Sequence, residues 1–407
     1  MTSSNQYLRS DLRVMGLVGV AHGASHFFHL VLPPLFPILK EEFDVSFSAL
    51  ALLTTCFYGV SGIAQTLAGF LVDRFGARNI LLVGLTLLAT SVIGYGFATE
   101  FWMLLLFSLL AGLGNSVFHP ADLSILTQKV TSFRLGKAYG VHAFSGNVGW
   151  AAAPLFVIYA TQLFNWKTAL ILAGFLGLFV VLFFIIFGND LNDRKFGSNV
   201  RIDAPVFSLA SLNENLSLLF SSTILSCFCF FALLAAALVG VQSFGISAIQ
   251  DLYDINITHA TFALSTFLVC SAIGILSGGI LADKTTRHDL IAMIGVMLSG
   301  LVLILIGSQL ITASSVIACL GLSGFFSGFT APSRDMLVKK VTPTGSTGRI
   351  FGFVYSGLDF GSSLMPLLLG LIMDIGSGSY VFYACAVMLF LTIFTVVNVK
   401  KRLSTAF

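Results

Sequence analysis

Charged side chains are scarce in this chain of 407 residues, because Asp, Glu, Lys and Arg together make up only 10% of it. A soluble domain carries roughly 25% charged residues. The apolar fraction is 57%, and 40 residues are Phe. A soluble fold of this composition would leave large apolar patches facing water. The composition therefore excludes an ordinary soluble enzyme and predicts a protein solvated mainly by a lipid bilayer.

Other absences narrow the function further. The six cysteines form no CxxC pair and all fall within apolar stretches, so neither a disulfide framework nor a zinc centre is indicated. The sequence has no G-x-x-x-x-G-K-[ST] phosphate-binding loop, and ATP hydrolysis is therefore not expected as an energy source. No polar segment is long enough for a soluble catalytic domain. We expect no enzyme activity, no cofactor, no bound metal and no nucleic-acid partner.

The uncharged stretches are long enough for twelve membrane-spanning helices. A span needs about 20 apolar residues, and backbone polar groups in lipid must be satisfied within the segment, which favours helices over strands. The predicted helices cover residues 14–38, 47–72, 79–99, 102–127, 138–162, 167–187, 222–247, 259–282, 289–308, 313–338, 349–373 and 378–399. The sequence therefore predicts an all-α polytopic membrane protein.

Lys and Arg are distributed unevenly between the two ends of these spans. All 21 of them fall on the side that carries both termini, except Lys40 and Lys167 on the other side and Arg334 within a span. Positive residues concentrate in cytoplasmic loops. We therefore expect both termini to be cytoplasmic, in a bacterial inner membrane. We also expect the protein to be a monomer.

An internal repeat indicates two related halves. The segment Gly69–Asp73 resembles Gly279–Asp283 at an offset of 210, and Gly136–Gly140 resembles Gly348–Gly352 at an offset of 212. Such a repeat predicts two pseudo-symmetric six-helix bundles with a site between them. The expected division of the chain is 1–187 for the first bundle, 188–221 for a cytoplasmic linker that is either plain or contains an amphipathic helix, and 222–407 for the second bundle.

A motif follows the second predicted helix and recurs in degenerate form in the second half. It resembles the G-x-L-x-D-R-x-G-R-[RK] signature of the major facilitator superfamily, although Ala77 stands at a usually basic position. The resemblance implies the major facilitator fold and a motif that gates the cytoplasmic side. The expected gating residues are Gly69, Asp73, Arg74, Gly76 and Arg78 in the first copy and Gly279, Asp283 and Arg287 in the second.

The motif also has a physical interpretation. Gly69 would allow a close helix approach, and Gly76 would allow a tight turn. Asp73 would interact with the start of the eleventh helix. The alternative is that Arg74 and Arg78 only anchor the loop on the cytoplasmic side.

Two further segments, Pro37–Phe43 and Gly112–Ala121, are similar to the fosmidomycin-resistance branch of exporters. This similarity implies export of an anionic or drug-like solute. Drug antiporters of the superfamily often carry a Gly-Pro motif in the fifth helix, whereas this chain has Ala153-Pro154. Import of a nutrient or of a metal chelate such as a siderophore, and a non-transporting receptor on the same fold, therefore remain alternatives.

Three histidines share one face of the first helix. The spacing of His22, His26 and His29 brings their side chains to the same side of an α-helix. They could bind an anionic or polar substrate, relay protons, ligate a transition metal or hydrogen-bond between helices. A metal is the least favoured of these, because no Cys, Glu or Asp accompanies the histidines on that helix.

Charges inside the spans complete the candidate substrate and proton pathway. His119 and Asp122 lie three residues apart in the fourth helix. Asp122 is the first candidate proton carrier and Asp359 the second, because carboxyl groups removed from water bind protons more readily. Arg334, next to Asp335 in the tenth helix, would bind substrate anions or pair with one of the intramembrane aspartates.

Uncharged polar residues extend this pathway. Gln242 in the seventh helix and Asn147 in the fifth, which stands opposite Asp359 in the repeat, offer hydrogen-bonding groups, with helix packing as the alternative. His142 and Asp374 are expected near helix ends. Together these residues predict a secondary transporter that moves a small organic solute by alternating access, coupled to protons.

Overall fold

A computed structural model describes residues 2–191, 219–342 and 347–405, and within these ranges it contains helices and no strand. The described part of the chain has twelve segments long and apolar enough to cross a membrane. The α-helices are α1 (Thr2–His29), α2 (Phe36–Phe43), α3 (Phe47–Phe75), α4 (Ala77–Gly96), α5 (Phe101–Asn115), α6 (Phe118–Lys129), α7 (Leu135–Leu163), α8 (Trp166–Phe187), α9 (Ser222–Tyr253), α10 (Ile257–Ala282), α11 (His288–Gly307), α12 (Val316–Val341), α13 (Thr347–Ile375) and α14 (Gly378–Thr405).

Two spans that were predicted as single helices are interrupted. In the first span, α1 ends at His29, and a 3₁₀ turn at Pro33–Leu35 precedes α2. Proline lacks the backbone N–H that would continue the helix. In the fourth span, α5 and α6 are separated at Ser116 and Val117, just before Pro120. The breaks therefore follow from local proline chemistry and fall beside the histidines of both spans.

The internal repeat is visible in the backbone. Asp44 and Asp254, 210 residues apart, end α2 and α9 in the left-handed conformation, with φ of 50° and 49°. Two residues later, Ser46 and Asn256 cap the starts of α3 and α10 through their side-chain oxygens. The same turn-and-cap chemistry is thus used at equivalent points of both bundles.

Close glycine contacts join the equivalent helix pairs of the two bundles. Gly149 of α7 lies against the backbone of α1, and a Cβ there would overlap the carbonyl oxygen of Gly23. Gly361 of α13, 212 residues later, lies in the same way against the carbonyl oxygen of Ala232 in α9. Small residues let membrane helices approach closely, so these contacts set the α1–α7 and α9–α13 packing.

Within the described residues, the hydrogen bonds between the two bundles lie toward one end of the molecule. We call the end where α1 begins and α14 ends the proximal end, and the opposite end the distal end. Within the described residues, every hydrogen bond between the bundles joins the distal parts of α3 and α13 or of α7 and α10. Phe244 of α9 also contacts Phe36 and Phe47 of the first bundle at this end. The distal end is therefore closed by direct contacts.

Part of the expected chain division lies outside the described residues. These are positions 192–218, which include most of the expected linker and the start of the amphipathic helix considered for it. The division at 187 and 222 stays a prediction.

Replacement of Gly149 by Ala tests the close approach of α1 and α7. The new methyl group would overlap the Gly23 carbonyl, and we expect the free energy of unfolding to fall by about 1–3 kcal/mol, the usual range for overpacking. Thermal unfolding in detergent measures the effect. Gly140→Ala in the same helix is the matched control, because nothing lies within 4 Å of a Cβ there. Equal melting temperatures for the two variants would contradict the packing argument.

Candidate functional site

A buried carboxylate joins three helices of the first bundle. Asp122 of α6 is fully buried, and its Oδ2 is hydrogen-bonded to His22 Nδ1 of α1 at 3.2 Å and to His142 Nε2 of α7 at 3.1 Å. The two imidazole rings stack with their centroids 3.5 Å apart. The ring of His119 lies 5.5 Å from that of His22, and its side chain is exposed. The structure thus groups His22 and His119, which were predicted as site residues, with His142, which was expected at a helix end, around the carboxylate of Asp122.

The position of these rings depends on a glycine of α7. A Cβ at Gly146 would lie 2.6 Å from His26 Nδ1 and 3.0 Å from His22 Nε2. The absence of a side chain at this position lets both imidazoles lie against the α7 backbone. The i, i+4 spacing of the two histidines on α1 is therefore matched by a cleared surface on the neighbouring helix.

A second set of hydrogen bonds surrounds the third histidine of α1. Trp150 Nε1 donates to His29 Nδ1 at 3.2 Å, so the proton of that imidazole lies on Nε2, which donates to Asn115 Oδ1 at 2.9 Å. The amide of Asn115 in turn donates to Ser61 Oγ at 2.9 Å. The ring of His26 stacks on Trp150 with the centroids 4.2 Å apart. The three histidines thus form part of a continuous polar set within the first bundle.

The second bundle carries a basic group at the equivalent level. Arg334 of α12 follows Asp122 by 212 residues, which is the offset of the repeat in this region. Its Nε donates to Asp335 Oδ1 at 2.9 Å, and its guanidinium lies 4.3 Å from the ring centre of Phe231. Of the acidic partners considered for this arginine, the structure selects its chain neighbour. The ring of Tyr355 from α13 lies 6.0 Å away.

The remaining predicted pathway residues lie in different surroundings. Asp359 of α13 is half-buried against α3, where a Cβ at Gly62 would lie 2.9 Å from the Asp359 Cβ, and it has no hydrogen-bond or ion-pair partner within the described ranges. Asn147 donates to the Ala143 carbonyl of its own helix at 3.0 Å. Gln242 is buried in α9, and its Oε1 has no partner among the described groups. Asp359 is therefore the one of these three that lies at the contact between bundles.

The motif after the second span has roles that differ from those expected. Gly76 has a φ of 87°, which confirms the need for glycine in this turn. Arg78 is more than an anchor, because Nε donates to the Gly188 carbonyl at 2.9 Å and Nη2 to that of Phe184, which satisfies the end of α8. The expectation of close approach at Gly69 is wrong for this conformation, since nothing lies within 4 Å of a Cβ there.

The charged groups of the motif are solvent-exposed. Asp73, Arg74 and Asp283 make no hydrogen bond or ion pair with any residue in the described ranges. The side chain of Arg349, at the start of the eleventh span, lies outside the described residues, so the expected contact of Asp73 with that helix stays a prediction. Among the described residues, the Arg287 side chain forms an ion pair with Asp289 of its own bundle, with Nε and Oδ1 3.5 Å apart. A Cβ at Gly279 would meet only a proline side-chain atom, at 3.9 Å.

The distal contact includes a helix cap that crosses between bundles. Asp374 near the end of α13 accepts hydrogen bonds from the backbone N–H of Phe47 at 2.7 Å and of Ser48 at 2.9 Å, at the start of α3. A carboxylate there satisfies free N–H groups and interacts favourably with the helix dipole. Asp374 is thus at a helix end, as expected, but it also holds the two bundles together. Its equivalent in the first bundle, Gln162, hydrogen-bonds to Thr258 at the start of α10.

His142, Trp150 and Asn115 were missed as site residues by sequence reasoning. His142 was expected near a helix end, yet it lies at the centre of the cluster. A signal was present, because His142, Gly146 and Trp150 repeat at intervals of four residues on α7, as the histidines nearly do on α1. The sequence pattern does not show that this face of α7 packs against the histidine face of α1.

Comparison with known proteins identifies the family. The profile of the Major Facilitator Superfamily matches residues 18–252 and 219–405. The chain belongs to this superfamily. It is a family of transporters and not of enzymes. The twelve apolar helices of the described residues agree with a multi-pass membrane protein.

Individual relatives are distant. The chain is 24% identical over 398 residues to the fosmidomycin resistance protein of Escherichia coli K12, covering 97% of this chain and 94% of that protein. It is also 24% identical over 347 residues to the membrane sensor protein UhpC of Salmonella typhimurium, covering 81% and 77%. The crystal structure of a bacterial homologue of the human lysosomal transporter Spinster has the same fold, with a TM-score of 0.69 at 16% identity over 95% of this chain and 94% of that one.

Asp374→Ala tests the distal contact. Loss of a helix cap costs about 1 kcal/mol, which corresponds to roughly a fivefold change in an equilibrium constant, and we expect conformations with the distal end open to gain population. Spin labels at the exposed Phe164 and Leu310, in distal loops of the two bundles, report this as longer distances. Glu41→Ala, an exposed distal acid, is the control. Identical distance distributions for the two variants would show that the cap does not hold the bundles together.

Proposed function

We propose that this protein is a secondary active transporter that exports a small organic solute, anionic or drug-like, by alternating access and in exchange for protons. The observation that carries the proposal is that, among the described residues, the bundles bond to each other only at the distal end. Two pseudo-symmetric bundles joined at one end can rock about a site between them. Family membership supports transport as the general activity.

The orientation proposed for this cycle follows from the charges. The proximal end carries nearly all Lys and Arg residues, and positive loops face the cytoplasm. With that orientation, the described conformation is closed toward the outside. Asp73 at the cytoplasmic end has no partner among the described residues, which supports this assignment, because its proposed gating contact would form only when that end closes.

Proton coupling requires a group that binds its proton more tightly in one of the two conformations, outward-facing or inward-facing, than in the other. The surroundings of that group must therefore differ between the two conformations. Asp359 meets this requirement because it lies against Gly62 of the other bundle, in an interface that must change when the bundles rock. Asp122 is held by His22 and His142 within one bundle, where a rigid-body movement changes less. We therefore propose Asp359 ahead of Asp122 as the coupling group.

The proposed substrate class follows from Arg334. Its guanidinium lies beside Phe231 on a side chain that is 13% exposed, and it is paired with an adjacent carboxylate that is partly exposed. An arginine fork binds carboxylates and phosphate-like groups with two hydrogen bonds. An anionic substrate could replace Asp335 as the partner, so that the arginine remains paired throughout the cycle.

Export is proposed from the relative described as a fosmidomycin resistance protein. Import of a nutrient or metal chelate by the same machinery is the alternative direction. A second candidate function is a non-transporting membrane receptor, which the relative described as a membrane sensor protein favours.

Flux in proteoliposomes under an imposed pH gradient tests the proposal, with radiolabelled fosmidomycin as the first probe. We expect accumulation driven by one gradient polarity in the antiport sense and loss of this accumulation in Asp359→Asn, with solute exchange in the absence of a gradient retained. Asp254→Asn, an exposed acid in a left-handed position that Asn tolerates, is the control. Symport polarity would indicate import.

Two results would contradict the proposal. A flux that does not depend on the pH gradient would contradict proton coupling. Binding of organic anions from a panel, without transport of any of them, would favour the receptor function.

Arg334→Ala tests the anion site. A hydrogen bond to a charged group is worth about 1.5–3 kcal/mol, so we expect the apparent affinity for an anionic substrate to fall by roughly tenfold or more, with membrane insertion unchanged. Concentration dependence of transport measures this loss. Lys284→Ala, an exposed cation of the same bundle, should behave as the native protein. Unchanged affinity in Arg334→Ala would remove this residue from the substrate site.

A further inference from the structure

We propose that His22, His119 and His142 form a binding site for a divalent transition-metal ion of the zinc class. One imidazole nitrogen from each residue lies within 4.8 Å of the other two. The three residues come from α1, α6 and α7, which are separate helices of the first bundle. The proposal goes beyond the transport function and does not depend on it, because the site lies within one bundle.

The donor set suits such an ion. Imidazole is a suitable ligand for zinc, copper, iron and nickel, and zinc sites with three protein ligands keep a fourth position open for water. The first helix by itself offers no Cys, Asp or Glu beside its histidines. The tertiary structure supplies the missing ligands from two other helices.

Asp122 prepares two of the ligands. When Asp122 is ionised, its carboxylate only accepts hydrogen bonds, and the contacts with Oδ2 then place the imidazole protons on His22 Nδ1 and His142 Nε2. The free lone pairs are then on His22 Nε2 and His142 Nδ1. A carboxylate behind a histidine ligand sets its tautomer and raises its basicity, which is the usual surrounding of zinc-bound histidines.

Metal binding requires the three imidazoles to turn toward a common point. Zinc–nitrogen bonds of about 2.0–2.1 Å in a tetrahedral site place ligand nitrogens about 3.3 Å apart, whereas one nitrogen of each residue lies within 4.8 Å of the other two. His119 is exposed and can rotate. The rings of His22 and His142 are stacked, and one of them must tilt out of the stack, because a metal-bound imidazole points the lone pair of its nitrogen at the ion within the plane of the ring.

Metal binding to the purified full-length protein, carrying an affinity tag without histidine, tests the site. We expect Zn²⁺ to raise the melting temperature in detergent, because an ion that binds the folded state stabilises it. Co²⁺ should give the visible absorption of a tetrahedral complex. His119→Ala removes one ligand and leaves the Asp122 hydrogen bonds intact, and it should abolish both signals. His259→Ala, an exposed histidine of the second bundle, is the matched control.

A second variant separates ligand loss from misfolding. Asp122→Asn retains all three imidazoles but removes the carboxylate behind two of them, and we expect the affinity for Zn²⁺ to fall by about 10–100-fold. No melting shift in the native protein, or equal shifts and Co²⁺ spectra in the native protein and His119→Ala, would overturn the proposal. Failure of proton-coupled flux would leave these measurements unaffected, so the two proposals fail separately.

Discussion

The carboxylate of Asp122 is removed entirely from water in the middle of a membrane-spanning bundle, and such a group is costly unless it is hydrogen-bonded. Imidazoles from α1 and α7 supply such bonds to Oδ2, while Oδ1 has no partner among the described groups. Gly146 and Gly149 let the two helices come close enough for the bonds to Oδ2 to form. The interruption before α6 precedes the turn that carries the carboxylate. The polar set of the first bundle is therefore arranged around this one group.

The second constraint is the pairing of α3 with α13. Near its end, α13 carries Asp374, which caps the start of α3, while α3 carries Asp73 near its own end, facing no described partner. The two contacts would lie at opposite ends of the same helix pair. In the proposed cycle they would form alternately, with each carboxylate stabilised by a helix N-terminus in a different conformation. Asp359 lies between them, at the point where α13 passes Gly62.

The bundles repeat each other in their turns and close contacts but differ in chemistry. Asp44 and Asp254 end their helices in the same way, and Gly149 and Gly361 make equivalent approaches. The histidines of α1, however, correspond to Ala232, Ala236 and Val239 in α9. The repeat thus supplies the architecture on which the proposed alternating access depends, and the positions that differ between the bundles supply the candidate chemistry.

Composition, uncharged runs and the repeat were sufficient to predict twelve spans in two bundles, because lipid requires every backbone group to be satisfied within its own helix. The sequence alone also identified the intramembrane charges, since each is costly wherever it lies in the membrane. It could not place His142 beside Asp122, show that Arg78 satisfies the end of α8, or assign Asp374 to the start of α3. Those contacts join residues 20 to 327 positions apart, and only the packing of helices decides which faces meet.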